Sequence, residues 1–266
     1  MSLDEVEQNY RVVLCDIWGC IHDGVQLYPG VETRLRRWRE QGLTIILITN
    51  APRTAEAVAG QLRNLGLGPG QWDGIATSGD AGIERLKTCP RPVGFIGTQG
   101  DRAILEGRGV RIAEGGDFDD LACAGLDEAR RMVEDYREAI EPLAKRDVLM
   151  HCLNPDRVVI RGGVPEPCAG AIADLYVELG GRVDYYGKPY PAIYRHALKL
   201  AGDPAPGDVV AIGDGLNTDI LGAARMGIAC VYVTGGIARG KGIPADFAAN
   251  NGLGHWQPVA VVADLS

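Results

Sequence analysis

Serine is almost missing from this chain of 266 residues: it occurs only at Ser2, Ser78 and Ser266, and no G-x-S-x-G elbow surrounds any of them. Serine-hydrolase chemistry is excluded on that ground. Long apolar runs are also lacking. The longest, such as Leu43–Thr49 and Val209–Ile212, fall far short of the roughly 20 residues that span a bilayer, so no transmembrane helix is expected. Met1–Tyr10 is acidic and polar, without the basic and then apolar regions of a secretory signal, and the expected location is the cytoplasm. Basic clusters are absent as well. Lysine and arginine total 27 against 35 acidic residues, a formal net charge of −8, which argues against a nucleic-acid partner and favours small-molecule chemistry. The seven cysteines form no C-x-x-C pair and no Cys/His group at zinc-finger spacing, so they are read as reduced thiols of the core or surface.

What is present is hydrophobic substance, 46% of the residues, enough for one large or two moderate domains. Short β-rich runs alternate with helical patterns: Val12–Cys15, Gly30–Gln41, Thr44–Thr49, Thr54–Leu65. The alternation resumes late in the chain with a helix over Ala192–Ala201, a buried strand over Val209–Gly213, a helix over Thr218–Met226 and a strand over Ile228–Val233. This order predicts an α/β fold, a doubly wound and mostly parallel Rossmann-like sheet whose halves lie at the two ends of the chain. Between them, residues 79–184 carry their own strands (Val93–Ile96, Val148–Cys152, Val158–Ile160) and helices (Asp127–Lys145, Ala169–Leu179), with Pro165, Pro167 and Gly162-Gly163 read as turns. The expected division is a core of residues 1–78 and 185–266 and an inserted α/β domain of residues 79–184, placed as a lid would be.

Doubly wound sheets bind ligands beyond the carboxyl ends of their strands. Asp16 follows Val12–Cys15, Thr49 and Asn50 close the next strand, and Asp214 follows Val209–Gly213. Two carboxylates meeting at one edge repel each other unless a cation lies between them, and hard oxygen ligands favour Mg²⁺. Asp219, at the start of a helix, either caps its first turn or orients the ligands. Two glycine patterns fail closer reading. Gly235–Gly242 lacks the Ser/Thr of a phosphate-binding P-loop and is followed by Pro244, and Gly213-Asp214-Gly215 lacks the third glycine of a dinucleotide loop.

Four segments resemble the haloacid-dehalogenase superfamily, and within it the class IIA phosphatases with a large α/β cap: Asp16-Ile17-Trp18-Gly19-Cys20 with Asp23-Gly24, Ile48-Thr49-Asn50, Tyr186-Gly187-Lys188-Pro189, and Gly213-Asp214-Gly215-Leu216-Asn217-Thr218-Asp219. Thr77-Ser78-Gly79-Asp80 and Asn154-Pro155-Asp156 also look like this branch, the latter as a segment facing the core site. The resemblance implies that Asp16 attacks phosphorus to form an aspartyl-phosphate, that Mg²⁺ is held by the Asp16 and Asp214 carboxylates and the Trp18 carbonyl, that Thr49 and the Asn50 N–H bind phosphoryl oxygens, and that Lys188 neutralises developing charge. It implies a small phosphorylated metabolite as substrate and a cap that can offer a homodimer interface, the oligomeric state being left open; no membrane partner is expected from the short apolar runs.

The sequence departs from the family where a second aspartate ordinarily protonates the leaving oxygen, for Trp18 stands there. An indole donates a hydrogen bond but exchanges no proton near neutral pH. His22 and Asp23 are candidate surrogate acids, Asp23-Gly24 being otherwise a turn. A phospho-ligand binding protein without turnover, and a displacement such as dehalogenation whose leaving group needs no proton, are the competing readings.

Overall fold

The computed structural model describes residues 2–161, 164–236 and 242–266. The chain begins with α1 (Leu3–Asn9), β1 (Val12–Asp16), α2 (Val31–Glu40), β2 (Thr44–Thr49), α3 (Ala55–Asn64) and β3 (Gly74–Thr77). It continues through α4 (Ser78–Leu86), β4 (Gly94–Ile96), α5 (Gln99–Gly107), β5 (Asp120–Cys123), α6 (Arg137–Lys145), β6 (Leu149–Cys152), β7 (Val158–Arg161), β8 (Val164–Pro167), α7 (Ala169–Glu178) and β9 (Arg182–Tyr185). It closes with α8 (Pro191–Leu200), β10 (Val209–Gly213), α9 (Leu221–Arg225), β11 (Ala229–Val233), α10 (Phe247–Asn250) and β12 (Ala260–Val262). Two compact units result: Met1–Thr49 with Ala55–Ala76 and Lys188–Ser266, and Asn50–Thr54 with Thr77–Gly187. The short segment Asn50–Thr54 thus groups with the insert, whereas the expected core of residues 1–78 includes it.

The first unit is built on a six-stranded sheet in the order β12-β11-β10-β1-β2-β3. Every residue of β1 and of β10 is buried, which is why both read in sequence as unbroken apolar runs rather than as alternating ones. The parallel register sets Cys15 opposite Leu47 on one side and Ile212 on the other, so β1, β2 and β10 end at the same edge. Leu14, Ile46, Tyr194 and Ile220 belong to one buried cluster of this unit. In α2, Val31, Leu35 and Trp38 recur at helical spacing and are the residues it buries.

The expected helix over Thr218–Met226 is present, but it starts two residues earlier as a π-helical turn over Leu216–Ile220 and continues as α9. α1 was not anticipated, although Ser2 and Glu5 form the capping box that starts it.

The second unit carries a four-stranded sheet, β4-β5-β6-β9, with all three pairings parallel. Its core includes Tyr136, Met150, Ile172 and Tyr176. The predicted helix Asp127–Lys145 is cut to its second half. Asp127 Oδ1 accepts from the backbone N–H groups of Ala129 and Arg130 at 3.0 and 2.7 Å, an Asx turn that competes with helix, and α6 begins only at Arg137 after a 3₁₀ turn over Val133–Tyr136. Pro165 and Pro167 lie in β8 rather than in turns. Among the described residues β8 pairs only with β7, antiparallel, and such an edge tolerates residues without an N–H. Gly162-Gly163 lies outside the described residues. Among the described residues no helix is long and apolar enough to cross a membrane.

Candidate active site

Because Asp16 lies level with Ile48, Thr49 comes one residue beyond it on β2, and the register of β10 brings Asp214 to the same rim. Asp16, Thr49, Asp214, Asp219 and Lys188 are all buried. Lys188 Nζ donates to Asp16 Oδ1 and, at 2.6 Å, to Asp219 Oδ1. The other Asp219 oxygen accepts from the Gly215 N–H at 3.1 Å and the Thr218 hydroxyl at 3.2 Å, and Tyr194 Oη donates to the Asp219 carbonyl at 2.9 Å. Asp219 therefore both closes its own turn and fixes the ammonium that touches Asp16.

Three glycines shape the rim. A β-carbon at Gly19, whose φ is +85°, would lie 1.9 Å from Asp214 Oδ2, and one at Gly236 would lie 2.1 Å from the same atom. At Gly213 it would lie 2.2 Å from Asp219 Cβ. Gly236 belongs to the run set aside above as a P-loop, and its absent side chain makes room for Asp214; residues 237–241 of that run lie outside the described residues. Sequence reasoning missed the roles of Gly19, Gly236 and Tyr194, which follow from close approaches between distant segments and leave no local signature.

It also missed Cys20. One ligand atom each from Asp16, Cys20 and Asp214 falls within 4.8 Å of the others, and all three residues are buried. Burial pushes the Cys20 thiol far up, and the Asp16 carboxylate adds to the effect, so sulfur is present as the thiol. Burial likewise pushes Asp16 well above the carboxylate range, reinforced by Asp219 and Asp214 and opposed by Lys188. Desolvation works against the Lys188 ammonium, yet Asp16 and Asp219 hold its pKa well above the ordinary value. Asp16 and Asp219 thus share the Lys188 ammonium, while Asp214 lies beside Asp16 in the same buried place. A divalent cation between Asp16 and Asp214 would offset the desolvation and repulsion that otherwise favour the protonated acid, and carboxylate oxygens suit Mg²⁺, so the donor set fits that ion.

Trp18 packs against the turn that follows. Its ring meets that of His22 edge-on with centroids 5.1 Å apart, and a β-carbon at Gly24 would lie 2.3 Å from its Cη2. His22 is buried and its Nδ1 accepts from the Gly24 N–H at 2.9 Å, so its ring proton resides on Nε2; burial lowers its pKa. Asp23 Oδ1 accepts from the Val25 and Gln26 N–H groups, both at 2.9 Å, and these bonds hold the carboxyl below its usual range. Asn50 groups with the second unit, where its Nδ2 donates to Asp156 Oδ1 at 2.8 Å and Asn154 Oδ1 accepts from the Asp156 N–H at 3.1 Å. Asn154-Pro155-Asp156 is thereby tied to Asn50.

Comparison with known proteins agrees with this geometry. The haloacid dehalogenase-like hydrolase family matches residues 13–111, and a second HAD-hydrolase-like family matches residues 185–266. The chain is 27% identical over 237 residues to an acid sugar phosphatase of Staphylococcus saprophyticus, covering 86% of this chain and 88% of that one. It is 27% identical over 241 residues to the ribonucleotide monophosphatase NagD of Escherichia coli K12, covering 85% and 88%. The crystal structure of a haloacid dehalogenase-like hydrolase from Brucella suis superposes with a TM-score of 0.86 at 33% identity, over 99% of this chain and 98% of that one. Sequence, sheet order and the carboxylate-bearing strand ends thus point one way: the chain belongs to the haloacid dehalogenase-like hydrolases, in their class IIA branch of phosphoric monoester hydrolases.

Proposed function

We propose that this protein is a Mg²⁺-dependent hydrolase of a small phosphate monoester, a sugar or nucleotide phosphate in class, and that Asp16 is its nucleophile. The observation that carries the reading is the Lys188 ammonium shared by Asp16 and Asp219 next to Asp214. An Asp16 oxygen attacks phosphorus, the bond to the leaving oxygen breaks, and the aspartyl-phosphate is then hydrolysed by water, one difficult displacement becoming two easier ones. Lys188 offsets charge on nucleophile and phosphoryl group, while the Thr49 hydroxyl and the adjoining Asn50 N–H hold phosphoryl oxygens. The Asp16 and Asp214 carboxylates and the Trp18 carbonyl would hold Mg²⁺, whose charge would offset that of the phosphate. The insert is proposed as a cap that selects the substrate.

No side chain is assigned as general acid. Trp18 has no proton to exchange, the Asp23 carboxyl is held in its ionised form, and burial keeps His22 neutral. General acid help is ordinarily worth about 10² to 10⁴ in rate, so aryl and acyl phosphates, whose leaving groups need no proton, are expected to be the better substrates. The same Trp18 supports a second reading, a phospho-ligand binding protein without turnover. Phosphate release from aryl, acyl and alkyl phosphates, with Mg²⁺ and with EDTA, compared between the natural chain and Asp16→Asn, decides between them. Mg²⁺-dependent release abolished by Asp16→Asn supports hydrolysis. Binding of phosphate without release of product from any substrate supports the second reading.

A further inference from the structure

The second unit holds another cluster of ligating side chains. Cys89 follows α4, with its N–H bonded to the Leu86 carbonyl at 3.1 Å and its own carbonyl accepting from Arg111 Nη2 at 2.8 Å. Asp120 opens β5 and His151 lies on β6 opposite Ala122, so Asp120, two residues before Ala122, faces the same side of the sheet as His151. His151 Nε2 is 2.7 Å from Asp120 Oδ1, and Nδ1 is 2.7 Å from Tyr186 Oη. One ligand atom each from Cys89, Asp120 and His151 lies within 4.8 Å of the others. Cys89 is 3% exposed and His151 0%, while the Asp120 side chain is 15% exposed. In sequence the three are spaced 31 residues apart, a separation no metal motif covers.

We propose that Cys89, Asp120 and His151 form a site for a thiophilic divalent cation of the zinc class. Thiolate, imidazole nitrogen and carboxylate oxygen are the donors such an ion takes, whereas Mg²⁺ prefers oxygen alone. Ligand atoms around a tetrahedral zinc lie about 3.3 to 3.6 Å apart for bonds of about 2.0 to 2.3 Å, a separation side-chain rotation reaches from the observed cluster. Thiolate and carboxylate together balance the charge of the ion, and three protein ligands leave a fourth position for water. On binding, the Cys89 thiol releases its proton to solvent as the metal–sulfur bond forms. Asp120 Oδ1 exchanges its hydrogen bond with Nε2 for the metal, the Nε2 lone pair turns to the metal, and the ring proton resides on Nδ1, donated to Tyr186 Oη. Such a second bond fixes the orientation of a ligating histidine. Burial and the Asp120 carboxylate push the Cys89 thiol up, and Arg85 Nη1, 3.3 Å from Cys89 Sγ, works against them in favour of the thiolate. The ion ties the end of α4 to β5 and β6.

The test is a titration of the metal-free, reduced full-length chain with Co²⁺, reading the sulfur-to-cobalt charge-transfer band. Cys20 also lies beside carboxylates, so Cys20→Ala is run in parallel with Cys89→Ala and His151→Gln. The site requires one equivalent of Co²⁺ giving the band in the natural chain and in Cys20→Ala, loss of the band in Cys89→Ala, and at least a 100-fold weaker affinity in His151→Gln. A band that survives Cys89→Ala, or no band at all, overturns the proposal and leaves Cys89, Asp120 and His151 as a hydrogen-bonded polar cluster. Should Cys89→Ala fail to fold, X-ray absorption of the zinc-loaded Cys20→Ala chain decides: one sulfur in the zinc shell supports the site, and a shell of nitrogen and oxygen alone contradicts it.

Discussion

Gly19 passes so close to Asp214 that a β-carbon there would lie 1.9 Å from the Asp214 Oδ2 atom, at a backbone φ of +85°. The glycine is what lets the loop after β1 reach the carboxylate at the end of β10. Two penalties fall on any substitution, since left-handed backbone costs a side-chain-bearing residue about 1 to 3 kcal/mol and overpacking costs a similar amount. Gly19→Ala is therefore expected to weaken Mg²⁺ affinity at least about tenfold, the equivalent of about 1.4 kcal/mol, in a chain that remains folded. Isothermal titration with Mg²⁺ reads the loss, and an unchanged affinity would refute the role given to Gly19.

Lys188 is 4% exposed and bonded to two buried carboxylates. Removing one partner of a buried charge pair leaves the rest uncompensated, at a cost of about 3 to 5 kcal/mol. Lys188→Met is expected to lose stability on that scale and to lower turnover by more than about 10³-fold, in line with the loss of a preorganised charge in a site of this kind. Adding Asp219→Asn removes one orphaned carboxylate, so the double variant should regain part of the stability but none of the activity. Urea unfolding of both variants checks the order.

Trp18→Asp places a carboxyl at the position that the proposed mechanism leaves without a general acid. Turnover of alkyl phosphates is expected to rise about 10- to 100-fold, within the range that general acid catalysis supplies, while aryl phosphates change little. The gain falls short of the upper limit because Trp18 is packed against Gly24 and His22, and its removal loosens that turn. The ratio of alkyl to aryl turnover is the measurement, and an unchanged ratio would count against a missing acid as the limiting factor.

Asp127 supports the turn that replaces the expected helix in the second unit. Desolvation raises its carboxyl pKa, but bonds from the Arg130 side chain and from the Arg130 and Ala129 N–H groups outweigh this, and the net value is lowered. A carboxyl depressed in the folded state contributes stability that is present above the unfolded value of about 3.9 and is lost as pH falls through the folded value. The stability difference between the natural chain and Asp127→Ala should therefore be larger at pH 6 than at pH 3. Denaturant unfolding at both values tests the sign.

Much of the first unit was legible because its central strands are buried on both faces. Val12–Asp16, Thr44–Thr49 and Val209–Gly213 read as apolar runs, each with a polar residue at or just past its end. The second unit was harder. The Asp127 carboxylate accepts from the Ala129 and Arg130 backbone N–H groups and halves a helix that periodicity extends, and β8 contains two prolines that only an edge strand accepts. At the rim, Asp16, Thr49, Asp214 and Lys188 stood out as polar residues at strand ends or in a glycine-rich turn. Gly19 and Cys20 did not, because their proximity to Asp214 arises only when segments more than 190 residues apart come together, and Gly236 did not because it reaches Asp214 from the far side of β11. The spacing of Cys89, Asp120 and His151 hid that cluster for the same reason.

The central claim is that phosphate passes through the Asp16 carboxylate. The most direct measurement is to quench the Mg²⁺-loaded protein with acid during turnover of an aryl phosphate, reduce it with borohydride, and map the product by peptide mass spectrometry. An acyl phosphate at Asp16 is reduced to homoserine, so the account predicts homoserine at position 16 in the natural chain and none without substrate. Steady turnover with aspartate intact at position 16, or with the reduced residue elsewhere, would contradict it.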